Sequence, residues 1–221
     1  LLDADPASNT LSWRWVAGLH TPGKHYLARA SNIRDNTLGR FNPQGEIDER
    51  AGPLSEEAPP LSPQPISAGD HVRERRVALL LTGDDLHPES WSIGADVMGC
   101  AALSAPEAAL PGTPSASFLR SALADGLDRV GGYFGASGDC LNPEQIVGWA
   151  KAAGAKEVVT AYAPVGLTAW RLDQLSVELA AEGIRLVRLQ RRFDSHVWPH
   201  ARAGFFKLKE KIPQFIADSA A

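Results

Sequence analysis

The chain has 221 residues, 44% of them hydrophobic and 22% charged, with a formal net charge of −4. This balance fits one large globular domain, or one domain with part of a second, and excludes wholesale disorder and a uniformly basic nucleic-acid binder. Two cysteines, Cys100 and Cys140, exclude a disulfide framework, and no apolar run approaches the ~20 residues of a membrane span, so a reducing, cytoplasmic location without a membrane partner is expected.

The first region is residues 1–50. Asp5-Pro6-Ala7-Ser8 offers a capping Asp followed by Pro at the first turn, which predicts a helix from about Pro6 to Ala17. Asn9 and Trp13 lie four apart and share one face of it, whereas Trp15 lies about 200° further round than Trp13 at ~100° per residue. A polar amide beside one tryptophan, with a second on another face, suits a site for a flat polar ring; core packing of both tryptophans is the plainer alternative. The chain lacks a starting Met, Met98 is its only methionine, and its first residues read as the inside of a folded element. A carboxy-terminal piece of a longer protein is therefore expected.

Residues 51–75 follow, with Pro53, Pro59, Pro60, Pro63 and Pro65 and few large hydrophobes, the composition of an extended linker. Residues 76–221 alternate strands with helices and predict an α/β fold, a Rossmann-like parallel sheet with flanking helices. Val77-Ala-Leu-Leu-Leu-Thr82 reads as a strand buried on both faces, and residues 95–103 as a second. A helix is expected from Ser117 to Phe134, and another from the cap Asn142-Pro143-Glu144 to Gly154. Then come a strand at Glu157–Ala161, a helix at Leu167–Glu182, a strand at Ile184–Leu189, and a final helix over about 201–218 interrupted by Pro213.

A ligand of this region belongs beyond the carboxyl ends of its strands, at Thr82, Gly83, Asp84, Asp85 and the 161–166 loop, although ordinary strand-ending turns explain the same residues. Gly131-Gly132-Tyr133-Phe134-Gly135-Ala136-Ser137-Gly138 follows a helix and lacks the G-x-G-x-x-G order, so it reads as a helix cap and loop rather than a phosphate cradle. His196 and His200 have metal-ligand spacing, but Val197-Trp198-Pro199 between them favours a turn, and no metal is expected. Arg185, Arg188, Arg191, Arg192, Arg202, Lys207, Lys209 and Lys211, with Arg14, Lys24, Arg29, Arg34 and Arg40, form two basic stretches that suit DNA phosphates or, equally, solvated faces.

The segment Asp3-Ala4-Asp5-Pro6-Ala7-Ser8-Asn9-Thr10-Leu11-Ser12-Trp13-Arg14-Trp15 resembles the flavin-binding segment of the photolyase/cryptochrome family, whose pattern is D-G-D-x-A-x-N followed by W-x-W. Ala4 stands where the family has Gly. Val16-Ala17-Gly18 and Tyr26-Leu27-Ala28-Arg29-Ala30-Ser31-Asn32-Ile33 continue the likeness. The resemblance implies that residues 1–50 are the end of a truncated all-α FAD-binding domain. It implies that Asp3 and Asp5 sit at the polar edge of the isoalloxazine, with Asn9 near flavin N5. Trp13 would be the nearest electron donor and Trp15 the surface on which a flipped pyrimidine lesion stacks.

The implied activity is a lyase reaction, light-driven repair of pyrimidine dimers in UV-damaged DNA by a monomer. The alternatives are a flavin photoreceptor without repair activity and a non-catalytic α/β binding module. The residues that hold the adenine and phosphates in that family lie upstream of this segment, so the chain alone is expected to retain little FAD. Members of the family usually carry an α/β domain before the flavin domain. Here the α/β pattern follows it, and three stretches resemble that domain: Val77–Thr82 with Asp85-Leu86, Tyr162–Gly166 with Gly183-Ile184, and Gly204–Pro213. A permuted α/β domain or an unrelated module both fit.

Overall fold

The computed structural model describes residues 28–53, 67–104, 113–163, 166–200 and 205–219. The chain divides into two compact units, Leu1–Pro63 and Gln64–Ala221. The described part of the first contains helix α1, Ala30–Asn36, whose opening N–H at Ala30 donates to Glu49 Oε1 at 2.7 Å. The expected helix from Pro6 to Ala17 lies outside the described residues.

The second unit is an α/β, Rossmann-like fold. Strands β1 (Arg76–Leu81), β2 (Asp96–Leu103), β3 (Gly138–Leu141), β4 (Glu157–Ala161) and β5 (Arg185–Leu189) form one parallel sheet in the order β3-β2-β1-β4-β5. Helix α2 (Thr113–Phe134) covers one face, while α3 (Pro143–Ala152) and α4 (Leu167–Ala181) cover the other. The short helices α5 (Arg192–Val197), α6 (Phe205–Lys209) and α7 (Ile212–Ser219) follow the last strand.

Strand β1 lies in the middle, so its apolar run is buried on both sides. Val77, Leu79 and Leu81 pack with Leu123, Leu127 and Val130 of α2; Ala78 and Leu80 pack with Ile146, Leu172, Leu175 and Leu179. Each fully buried Leu contributes about 2 kcal/mol by removal of apolar surface from water. This is why an uninterrupted apolar run, rather than an alternating one, marks the central strand.

Four features depart from the expected pattern. The β1–β2 connection, residues 82–95, carries only a single 3-10 turn, Pro88–Ser90, and Trp91 and Ile93 fill the sheet face where a crossover helix would lie. The packed unit begins ahead of β1: Asp70 N donates to Arg188 O at 2.8 Å and Val72 packs on the core, so residues 67–72 run along the β5 edge and shield it. Strand β3 is not among the expected elements: it starts at Gly138, the last residue of the stretch read as a cap and loop, and has four residues and little apolar patterning. The final helix is interrupted as expected, but just ahead of Pro213 rather than at it, because the ring at 213 denies an N–H to the carbonyl of Lys209. The chain breaks at Glu210 and Lys211, and Pro213 sits in the first turn of α7, where its missing N–H costs nothing.

Candidate functional site

The chain runs from β1 outward to β2 and β3, then returns to lay β4 and β5 on the other side of β1. The connections leave β1 and β4 in opposite directions, and a crevice opens beyond their carboxyl ends. A cavity of about 230 Å³ occupies it, lined by Thr82, Asp84 and Asp85 after β1, Ala161, Tyr162 and Ala163 after β4, and Leu189, Arg191, Asp194 and Trp198 around α5. Of the turn residues expected at the mouth, Thr82, Asp84, Asp85 and 161–163 are thus brought together; Gly166 caps α4 outside the lining, and 164 and 165 lie outside the described residues. Gly83 packs instead toward α2, where an added Cβ would meet Leu119 Cδ1 at 2.7 Å.

Arg191 organises this mouth. Its Nη2 donates to Asp85 Oδ1 at 2.8 Å and to His87 O at 2.9 Å, its Nε donates to Ser90 Oγ at 2.7 Å, and its Nη1 donates to Asp85 Oδ2. The pair is bidentate and its guanidinium faces Asp194 as well. Burial works to raise the Asp85 carboxyl, but the Arg191 hydrogen bonds and charge, with the His87 N–H, hold it below the ordinary 3.8. The carboxylate is therefore ionised and committed. Arg191 follows a strand end, as the crevice rule asks, but its place in a run of cations disguised it as part of a basic stretch.

The opposite wall is aromatic. Tyr162 and Trp198 face one another with ring centroids 6.0 Å apart and planes at 42°, and Tyr162 Oη accepts a hydrogen bond from Ser67 N at 3.3 Å. A cavity of this size falls below the ~300 Å³ lower end for drug-sized ligands. Asp84 stands at its rim, and its polar lining suits a small polar ligand or one ring of a larger one.

Much of the cationic stretch is neutralised internally. Arg185 pairs with Glu157, Arg188 with Asp173, Arg191 with Asp85 and Lys207 with Glu210; Arg34 pairs with Asp35 in the first unit. Arg192, Lys209 and Lys211 form no ion pair among the described residues.

The glycine-rich stretch closes α2. Gly131 and Gly132 lie inside the helix, Gly135 follows it at φ 69° with its N–H on Gly131 O at 3.1 Å, and Gly138 starts β3. His196 Nε2 lies 2.9 Å from Asp218 Oδ2, and both His196 and His200 pack on Phe215. Among the described residues no group of three His, Cys, Asp or Glu side chains could hold a metal ion, and no helix is long and apolar enough to cross a membrane. Burial pushes the Cys100 thiol up to about 12, which leaves it unreactive at neutral pH.

Asp3, Asp5, Asn9, Trp13 and Trp15 all lie outside the described residues. Comparison with known proteins gives no match to a family model, a curated protein or a solved structure.

Proposed function

We propose that this chain belongs to a flavin-dependent, light-driven protein of the photolyase/cryptochrome type that repairs pyrimidine dimers in DNA. The observation that carries this reading is the ordered set Asp3, Asp5, Ala7, Asn9, Trp13 and Trp15 at the spacing of that family's flavin segment. The Rossmann-like second unit agrees with the companion α/β domain such proteins carry. FAD, when bound, would supply the photochemistry. Its place would be the segment that carries the family's flavin motif, residues 3–15. Asp3 and Asp5 would hold its polar edge and Asn9 would approach N5. Trp13 would pass electrons to the oxidised ring, and Trp15 would stack on the lesion.

The two tryptophans separate the roles experimentally in the intact protein. Trp13→Phe preserves an aromatic of similar use of space and should retain FAD, yet slow photoreduction of the oxidised flavin sharply, because Phe is much harder to oxidise. Trp15→Ala should spare photoreduction and weaken lesion binding by roughly 1–3 kcal/mol, the worth of one base–aromatic stack. Illuminated absorbance spectra and titrations with dimer-containing oligonucleotides read the two effects. Loss of the same property in both variants would remove the assignment.

One observation favours a second reading, a flavin photoreceptor without repair. Arg185, Arg188 and Arg191 are engaged by carboxylates inside the α/β unit and so offer little to DNA phosphates. Blue-light repair of a dimer-containing duplex, present or absent in a protein that carries flavin, decides between them.

A further inference from the structure

Helix α4 turns Leu172, Leu175 and Leu179 into the core and leaves Leu167, Trp170 and Val177 on the outside, at 51%, 52% and 72% exposure. At ~100° per residue, Leu167, Trp170, Gln174, Val177 and Ala181 fall within a stripe about 80° wide. A tryptophan in an exposed, largely apolar stripe is the kind of side chain that carries binding energy at protein interfaces.

Two charges flank this stripe on one side, Arg171 and Glu178. The Arg171 guanidinium lies 5.1 Å from the centroid of the Trp170 ring. Neither Arg171 nor Glu178 forms an ion pair among the described residues, whereas nearby Asp173 takes Arg188 and Glu182 takes Lys151. They are seven residues apart, two turns or about 10.5 Å along the axis. A surface built for an acidic or a basic partner would carry one sign; this one carries one of each, symmetrically placed about Gln174.

We propose that α4 is a self-association face, on which two copies of the chain pack α4 against α4, antiparallel, about a two-fold axis near Gln174. That register sets Trp170 against the partner's Val177, Leu167 against the partner's Ala181, and Arg171 against the partner's Glu178, each twice, as an isologous contact requires. A parallel pairing would place like charges together. One helix face from each copy is a small contact beside the ~1,200 Å² that stable interfaces bury, so the dimer is weak and forms as concentration rises. It replaces the single copy expected from sequence and does not depend on the flavin reading.

Sedimentation of the 221-residue chain over a concentration series tests it, with thermal melts confirming that each variant stays folded. The mass should rise toward twice the chain mass with concentration, and Trp170→Ala should abolish the rise. Arg171→Glu and Glu178→Arg alone should each weaken association roughly tenfold or more, because each sets like charges face to face. An equimolar mixture of those two variants should associate again, since both contacts in the mixed dimer then join opposite charges. A chain that stays monomeric throughout, association that ignores Trp170→Ala, or a mixture no stronger than its components would each overturn the proposal.

Discussion

Glu157 shows how one side chain can fix three segments. It opens β4 almost fully buried, and its Oε2 accepts from Arg73 N at 3.0 Å and Glu74 N at 3.1 Å while its Oε1 accepts from Arg185 Nε at 2.9 Å. Burial alone would raise its carboxyl, but those N–H donors and the Arg185 guanidinium hold it below the ordinary 4.5. The stabilisation is therefore fully present above that value and is lost as pH falls through the lower folded-state value. Glu157→Gln should cost about 2 kcal/mol at neutral pH, with a much smaller cost at acid pH, read by urea unfolding at both. Asp85 obeys the same sign. Asp85→Asn should leave the sheet intact but release Arg191 from its bidentate partner, so amide exchange over residues 83–91 should quicken while that of β1 is unchanged.

At the scale of elements, β3 depends on the absence of a side chain. A Cβ on Gly138 would lie 1.9 Å from Cys100 O in the neighbouring strand, a clash with backbone that no rotamer relieves. Gly138→Ala should detach the start of β3, lower stability by about 2–4 kcal/mol, and expose the Cys100 amide that now donates to Ser137 O at 3.4 Å. Hydrogen exchange at Cys100 and an unfolding curve together check it. Helix α3 rests on local chemistry instead: Asn142 N donates to the Gln145 side chain at 2.8 Å, and Pro143 takes the first turn.

At the scale of the molecule, both core clusters, among the described residues, draw on the Gln64–Ala221 unit. Residues 64–221 expressed alone should unfold in one cooperative transition, with the midpoint that the α/β unit shows in the full chain. Circular dichroism of the two proteins in urea makes the comparison, and a midpoint displaced well beyond experimental spread would mean that the first unit contributes to the core.

The sequence by itself determined the α/β class, the central strand Val77–Leu81, the cap at Asn142-Pro143 and the helix ends at Gly154 and Gly183, because apolar periodicity and capping are encoded within a turn or two of chain. It also placed Thr82, Asp84, Asp85 and Tyr162 at strand ends, and strand ends of a parallel sheet share one rim. Only the tertiary structure decided the strand order, and with it that Arg191 reaches Asp85 across 106 residues of sequence and that Arg185 and Arg188 face carboxylates rather than solvent. A charge's partner is set by which strands become neighbours, and no local pattern carries that information. The same holds for β3, whose four residues gain their conformation from pairing with β2 and from the close approach that Gly138 permits.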